Sequence, residues 1–262
     1  MNSAARQLFL ALSMGLVGCA HVDLGQLPTP SATALLQEVD ALEGQVVQVK
    51  GSARVQAHSK QGSGEVGAFI AARAPADVHL ELLNFFGAPT QVLVSDGHTF
   101  GLYQSEKGTY LTGPATASAI ARVLPVDLSS EDLVAILLGR TPRLHVAPTS
   151  IEPDASMDAY RVTLVQGERR QTVWVHAVSR RVLKSVLEGP GGYTLLLEQP
   201  SNTGGAPLPR KVTFSDASAT VVLRWSPTDV EVDVPPDAAL FAVHPPPGVR
   251  TVEVDPAPPG AG

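Results

Sequence analysis

A chain of 262 residues, 44% hydrophobic and only 17% charged, can bury one large core or two small ones, and it carries less charge than the roughly 25% of an ordinary soluble domain. Its net charge of −6 gives nucleic-acid binding no electrostatic support, so the Arg169-Arg170 and Arg180-Arg181 pairs read as solvated hairpin ends. A single cysteine excludes an internal disulfide.

The N-terminal stretch places Arg6 before an apolar run from Leu8 to Val17, too short to span a bilayer and shaped like a secretory signal peptide. The run ends in Leu16-Val17-Gly18-Cys19, which resembles the lipobox of bacterial lipoproteins, in which the cysteine is acylated and becomes the new N-terminus. Residues 1–18 are therefore expected to be a leader, Cys19 the lipidation site and 19–30 a tether. Several acyl chains on Cys19 would hold the protein to a membrane far more firmly than one. Losing Arg6 with the leader would change the formal charge from −6 to −7, since −6 − 1 = −7. Ala20 follows the cysteine. The sorting rule of well-studied bacteria reserves aspartate there for the inner membrane, which makes the periplasmic side of the outer membrane the expected location.

Ser31 can cap a helix whose Leu35, Leu36, Val39 and Leu42 make one apolar stripe, stopped at Gly44. From Gln45 the period drops to two: Val47, Val49, Gly51, Ala53 and Val55 alternate with polar residues, the mark of a half-buried strand. Further strands are expected at 65–73, 77–83, 90–95 and 99–104, with Asp96-Gly97 a tight hairpin signal between the last two. The turn Asn84-Phe85-Phe86-Gly87 sets two phenylalanines among turn residues. Between Gly113 and Gly139 helical patterning returns, in one short piece around Ile120 broken by Pro125. A second piece runs to the Gly139 stop, with Ser129 and Asp132 at capping-box spacing. Seven more strands are expected at 159–166, 171–177, 182–188, 193–198, 210–215, 220–225 and 229–234. Residues 236–262 read as a proline-rich tail, disordered over at least its last residues.

No catalytic chemistry emerges from this pattern. The seven histidines stand at no metal-ligand spacing. Gly62-Ser63-Gly64-Glu65-Val66-Gly67 matches a dinucleotide fingerprint but lies in a strand-turn-strand context, so it reads as a hairpin turn. There is no nucleophile elbow and no phosphate loop, and neither an enzyme nor a cofactor is expected. Apolar binding is the remaining chemistry. The alternation nominates Val47, Val49, Val55, Ile70, Leu80, Leu82, Val92, Val94 and Trp174 as one inward face, to be read either as a ligand groove or as a plain packed core.

The order of lipobox, leading helix, strand "VQVKGSARV", hairpin "VHLELLNFFGAPTQVLVSDG", loop "GPATASAIARVL" and helix "SSEDLVAILLGR" resembles the LolB-like outer-membrane lipoproteins and their relatives, over roughly residues 31–235. The resemblance implies a mainly β, α+β fold: a curved antiparallel half-barrel of about 11–12 strands with short lid helices and an N-terminal helix. It implies an apolar concave side and a function in lipoprotein transport to the outer membrane. The partners would be a LolA-type periplasmic carrier and the acyl chains of its cargo, and the protein a monomer. In some LolB relatives the turn reads Asn-Pro-Leu-Gly with a protruding leucine that helps deliver cargo to the membrane. Phe86 stands at the leucine position and Phe85 at the proline position, between Asn84 and Gly87. A tethered protein-docking module without lipid is the alternative, and rings folded back beneath the lid are the alternative to a protruding turn.

Overall fold

A computed structural model describes residues 24, 28–60, 62–122, 124–198 and 208–255. The lipobox, Cys19 and most of the tether lie outside them, as do the last residues of the tail.

Helix α1 (Ala32–Glu43) starts where Ser31 accepts the Ala34 amide at 3.2 Å, and it buries Leu35, Leu36 and Val39. The strands follow as β1 (Gln48–Ser59), β2 (Gly62–Arg73), β3 (Asp77–Leu83), β4 (Pro89–Asp96), β5 (Thr99–Gln104) and β6 (Thr109–Pro114). Helices α2 (Ala117–Ile120) and α3 (Ser130–Leu137) come next. The second run of strands is β7 (Pro148–Asp154), β8 (Ala159–Gln166), β9 (Arg169–His176), β10 (Val182–Glu188), β11 (Tyr193–Glu198), β12 (Lys211–Ser215) and β13 (Ala219–Val232). A 3-10 turn at Ala238–Phe241 and β14 (Arg250–Glu253) complete the chain.

All fourteen strands form one sheet in the order β14-β6-β5-β4-β3-β2-β1-β13-β12-β11-β10-β9-β8-β7. Apart from β14, each half is a meander of neighbouring antiparallel strands, and the long β1–β13 pair joins the halves at the centre. The result is a mainly β, open half-barrel with short helices on one face. The strand count exceeds the expected 11–12 for local reasons. Strands β6 and β7 carry proline or glycine, which hides them from a propensity reading, proline being tolerated at an edge such as β7, and β14 lies in the segment expected as a tail. The two strands expected at 220–225 and 229–234 are one, β13, interrupted opposite Ser52 by a bulge at 226–229. Gly51 permits that bulge, because a Cβ there would meet the Asp229 carbonyl oxygen at 2.2 Å. The glycines at 62–67 lie within β2 rather than in the turn that precedes it.

Register decides which side chains share a face, because directly opposed residues project together and a shift of one residue exchanges the faces. Val49, Ala72 and Val78 are opposed in turn, as are Ile70, Leu80, Leu93 and Leu102. This inner face packs under α1 and α3 in one cluster with Leu35, Val39, Val134 and Leu137, extended across the other half by Val162, Val173, Leu195 and Phe214. Helix α2 sits on a smaller cluster of Leu93, Phe100 and Leu102 through Ala119 and Ile120. The helices are short, and it is these apolar contacts more than intrinsic propensity that hold them.

Part of the segment expected as a tail packs on the outer face. Just before that segment, Asp233 accepts the amides of Val47 and Gln48 at the start of β1. His79 lies between the Leu240 carbonyl oxygen and Glu81, each 2.8 Å from a ring nitrogen, and Arg73 sits 4.8 Å over the Phe241 ring. Strand β14 then joins β6, the one parallel pairing in the sheet.

Candidate functional site

The turn between β3 and β4 is the most exposed apolar feature among the described residues. Phe85 is 98% and Phe86 89% exposed, so neither ring folds back under the helices. The backbone beneath them is tied down. Asn84 Oδ1 accepts the amides of Phe86 at 2.9 Å and Ala88 at 3.0 Å, and Gly87 donates its amide to the Asn84 carbonyl. Gly87 adopts φ +80°, a conformation that favours glycine. The two rings meet edge to face, with centroids 5.6 Å apart. The turn is therefore built as a stiff mount that presents two rings to the surroundings.

The other nominated residues divide by face. Val49 and Ile70 are fully buried on the inner face, and Val55, Leu80 and Leu82 are half-buried there against the core. Val92 and Val94 are corrections: they oppose Glu81 and His79 and so lie on the outer face, while Leu93 takes the inward position between them. The ladder shifts at Leu82 and Leu83, so parity cannot be carried through the turn by counting. Trp174 is also on the outer face, opposed to Arg161 and Lys184. Its indole N–H donates to Asp154 at 3.0 Å and its ring lies 4.7 Å from the Lys184 ammonium. With the Ser156 hydroxyl, that indole holds the Asp154 carboxyl below its usual range. Val47 precedes β1 and is 47% exposed, held at the surface by the Asp233 contact to its amide. The inward residues thus pack against the helices; they do not line an open channel among the described residues.

Two polar arrangements were invisible in the sequence. Gln171, buried on the inner face, accepts the Leu144 amide through Oε1 and donates through Nε2 to the Pro142 carbonyl at 2.7 Å; Ser185 and Tyr193 lie at 3.0 and 3.2 Å from the same nitrogen. Burial pushes the Tyr193 hydroxyl up to about 12. This network ties the segment after α3 to the sheet, and its only sequence signal is a glutamine at an inward strand position. The second arrangement closes α1 against the same segment. Glu43 accepts the Thr141 amide at 3.2 Å and lies 3.2 Å from Arg143, which also contacts Asp40. Burial pushes the Glu43 carboxyl up to about 7, against the pull of Arg143. These residues border a cleft of about 770 Å³ between α1, α3 and residues 140–148. No group of three His, Cys, Asp or Glu converges as a metal site among the described residues, and none of their helices is long and apolar enough to cross a membrane.

Neither a protein-family model nor a curated protein sequence matches the chain. Solved structures do match. A LolA superfamily protein from Nitrosomonas europaea aligns at TM-score 0.55 and 14% identity, covering 82% of this chain and 98% of that one. A domain named for outer membrane lipoprotein sorting, from Vibrio parahaemolyticus, aligns at TM-score 0.56 and 11% identity, covering 79% and 94%. A DUF1329 family protein from Desulfovibrio piger aligns at TM-score 0.54 and 13% identity, covering 80% and 95%. The open sheet, the helices on its inner face and these alignments agree: the chain shares the half-barrel fold of these structures.

Proposed function

We propose that this protein is a non-enzymatic lipoprotein of the outer membrane, anchored through Cys19 and facing the periplasm, that takes acylated cargo from a LolA-type carrier and passes it to the membrane. The observation that carries the reading is the ring pair at 85 and 86, exposed on a backbone that its own hydrogen bonds hold in shape. Burying a phenylalanine is worth roughly 1.5–3 kcal/mol, so leaving two in water has a physical rationale only if they are buried elsewhere in use. The apolar inner face supports the same reading. Moving α2 and α3 off it would bare Leu80, Leu93 and Leu102, a surface chemically suited to an acyl chain. In this reading the protein works as a monomer.

The test is transfer of an acylated protein from a LolA-type carrier to vesicles, mediated by the chain from residue 20, which contains every described element. Phe85→Ser with Phe86→Ser should lower transfer at least tenfold while the carrier's own affinity for cargo stays unchanged. Undiminished transfer would refute the role given to the rings.

A second reading has its own support. Because the inner face is packed, the fold also suits a tethered docking module that carries no lipid. Native mass spectrometry of the purified chain separates the two: bound lipid or acylated protein favours the carrier, and a lipid-free chain with a stoichiometric protein partner favours the module.

A further inference from the structure

A recess of about 770 Å³ lies at the base of the ring pair, bordered by Arg54, Gly67, Phe85, Arg224, Trp225 and Pro227. Arg54 and Arg224 are directly opposed across the β1–β13 pair. Like charges in that position destabilise a sheet, so the arrangement calls for an anion. The chain supplies little of one. Arg54 reaches Glu65 at 3.4 Å while remaining mostly exposed, and the Arg224 side chain makes no hydrogen bond or ion pair among the described residues. Lys211, opposed to Arg224 on its other side, is engaged by Glu198.

We infer that this recess receives the phosphate of an anionic membrane phospholipid when the ring pair enters the bilayer surface. The inference rests on the membrane contact proposed for Phe85 and Phe86 and adds the headgroup chemistry. Guanidinium forks match phosphate oxygens in pairs, which suits two opposed arginines better than a single point charge would. The placement also agrees: Arg54 opposes Gly67, which opposes Leu83, two residues before Phe85, so the recess lies beside the ring pair. A chain of net charge −6 gains no general attraction to an anionic surface, and local cations of this kind would orient it.

The experiment is flotation of the chain from residue 20 with vesicles of phosphatidylcholine alone and of phosphatidylcholine with phosphatidylglycerol. Changing Arg54→Gln and Arg224→Gln together should lower binding to the phosphatidylglycerol vesicles roughly twenty-five-fold, about fivefold for each arginine, and leave binding to phosphatidylcholine nearly unchanged. Phe85→Ser with Phe86→Ser should lower binding to both. Loss with the phenylalanine variant but none with the arginine variant would overturn the recess and leave the ring contact standing; the reverse pattern would keep the recess and remove the ring contact. Relieving the like-charge pair should leave the melting temperature unchanged or raise it, so a fall in melting temperature would assign the arginines a structural role instead. Saturation of Arg224 resonances by inorganic phosphate alone would make the recess a soluble-anion site and overturn the membrane assignment.

Discussion

The two ends of the β3 and β4 strands use the same backbone device for opposite purposes. At one end Asn84 Oδ1 gathers the amides of Phe86 and Ala88; at the other Asp96 Oδ1 gathers those of His98 and Thr99. The Asp96 turn is exposed as well, but it is anchored to the core. Next to it the buried Ser95 hydroxyl donates to the Thr99 carbonyl, accepts the Gly97 amide and lies 2.7 Å from the Ser130 hydroxyl at the start of α3. Strand register places the α1 end of the sheet on this side too, since Gln48 opposes Arg73, Arg73 opposes Asp77 and Asp77 opposes Asp96. The Asn84 end has nothing packed on its rings. Stability is concentrated where helices meet sheet, and the opposite end is left to present side chains outward. A local conformation can therefore be rigid without contributing to the core.

Substitution can break that division, and the largest effect belongs to the exposed end. Serine at 85 and 86 should cut transfer at least tenfold yet shift folding stability by no more than about 0.5 kcal/mol in chemical denaturation, the range of ordinary surface changes. The next effect belongs to the clamped end and is driven by pH. Native Glu43 holds its proton up to about 7, whereas an unfolded chain releases it near 4.5. The folded state then binds more protons across that window, so this contribution is complete below pH 4.5 and is lost as pH rises through 7. The decline should be on the order of 3 kcal/mol at most, and Glu43→Gln should flatten it in denaturation series run from pH 4 to 8. Removing the Ser95 hydroxyl with Ser95→Ala strands the Gly97 amide, the Ser130 hydroxyl and the Thr99 carbonyl. A cost of about 1–3 kcal/mol is expected from urea titration, with membrane binding unaffected. Asn84→Ala should cost only about 0.5–1 kcal/mol, because water can replace the lost acceptor at an exposed turn. Hydrogen exchange at Phe86 and Ala88 should nevertheless quicken, and transfer should fall with it. If transfer holds while exchange quickens, the turn's stiffness is irrelevant to its task.

Much of the architecture was legible because its signals are local. Ser31 and Ser129 both cap the helices assigned to them, and the Asp96-Gly97 signal marks a real hairpin. The phenylalanine turn was visible as a contradiction between turn chemistry and hydrophobicity. What was not legible depends on register. Val92, Val94 and Trp174 were placed inward by alternation alone, and the ladder shift at Leu82 and Leu83 broke the count for the two valines. Trp174 shows a different failure: alternation gives the period of a strand but not which phase faces inward, and this indole serves Asp154 on the outer face. The meeting of Arg54 with Arg224 spans 170 positions of chain, and no spacing rule reaches that far. The bulge at 226–229 joined two expected strands, since Pro227 and Thr228 read as an ending.

An open sheet of fourteen strands has two edges, and each unpaired edge is a template on which a second chain could add a strand. Here the two are treated differently. The β7 edge carries Pro148 and Pro153, which lack the amide hydrogens that a neighbour would need. The other edge is β14, a strand of four residues laid on β6 by the segment that crosses the outer face past His79 and Arg73. The proline-rich stretch after β13 is thus more than a trailing end: it covers the longer β6 and leaves at this edge only a short strand on which another chain could build.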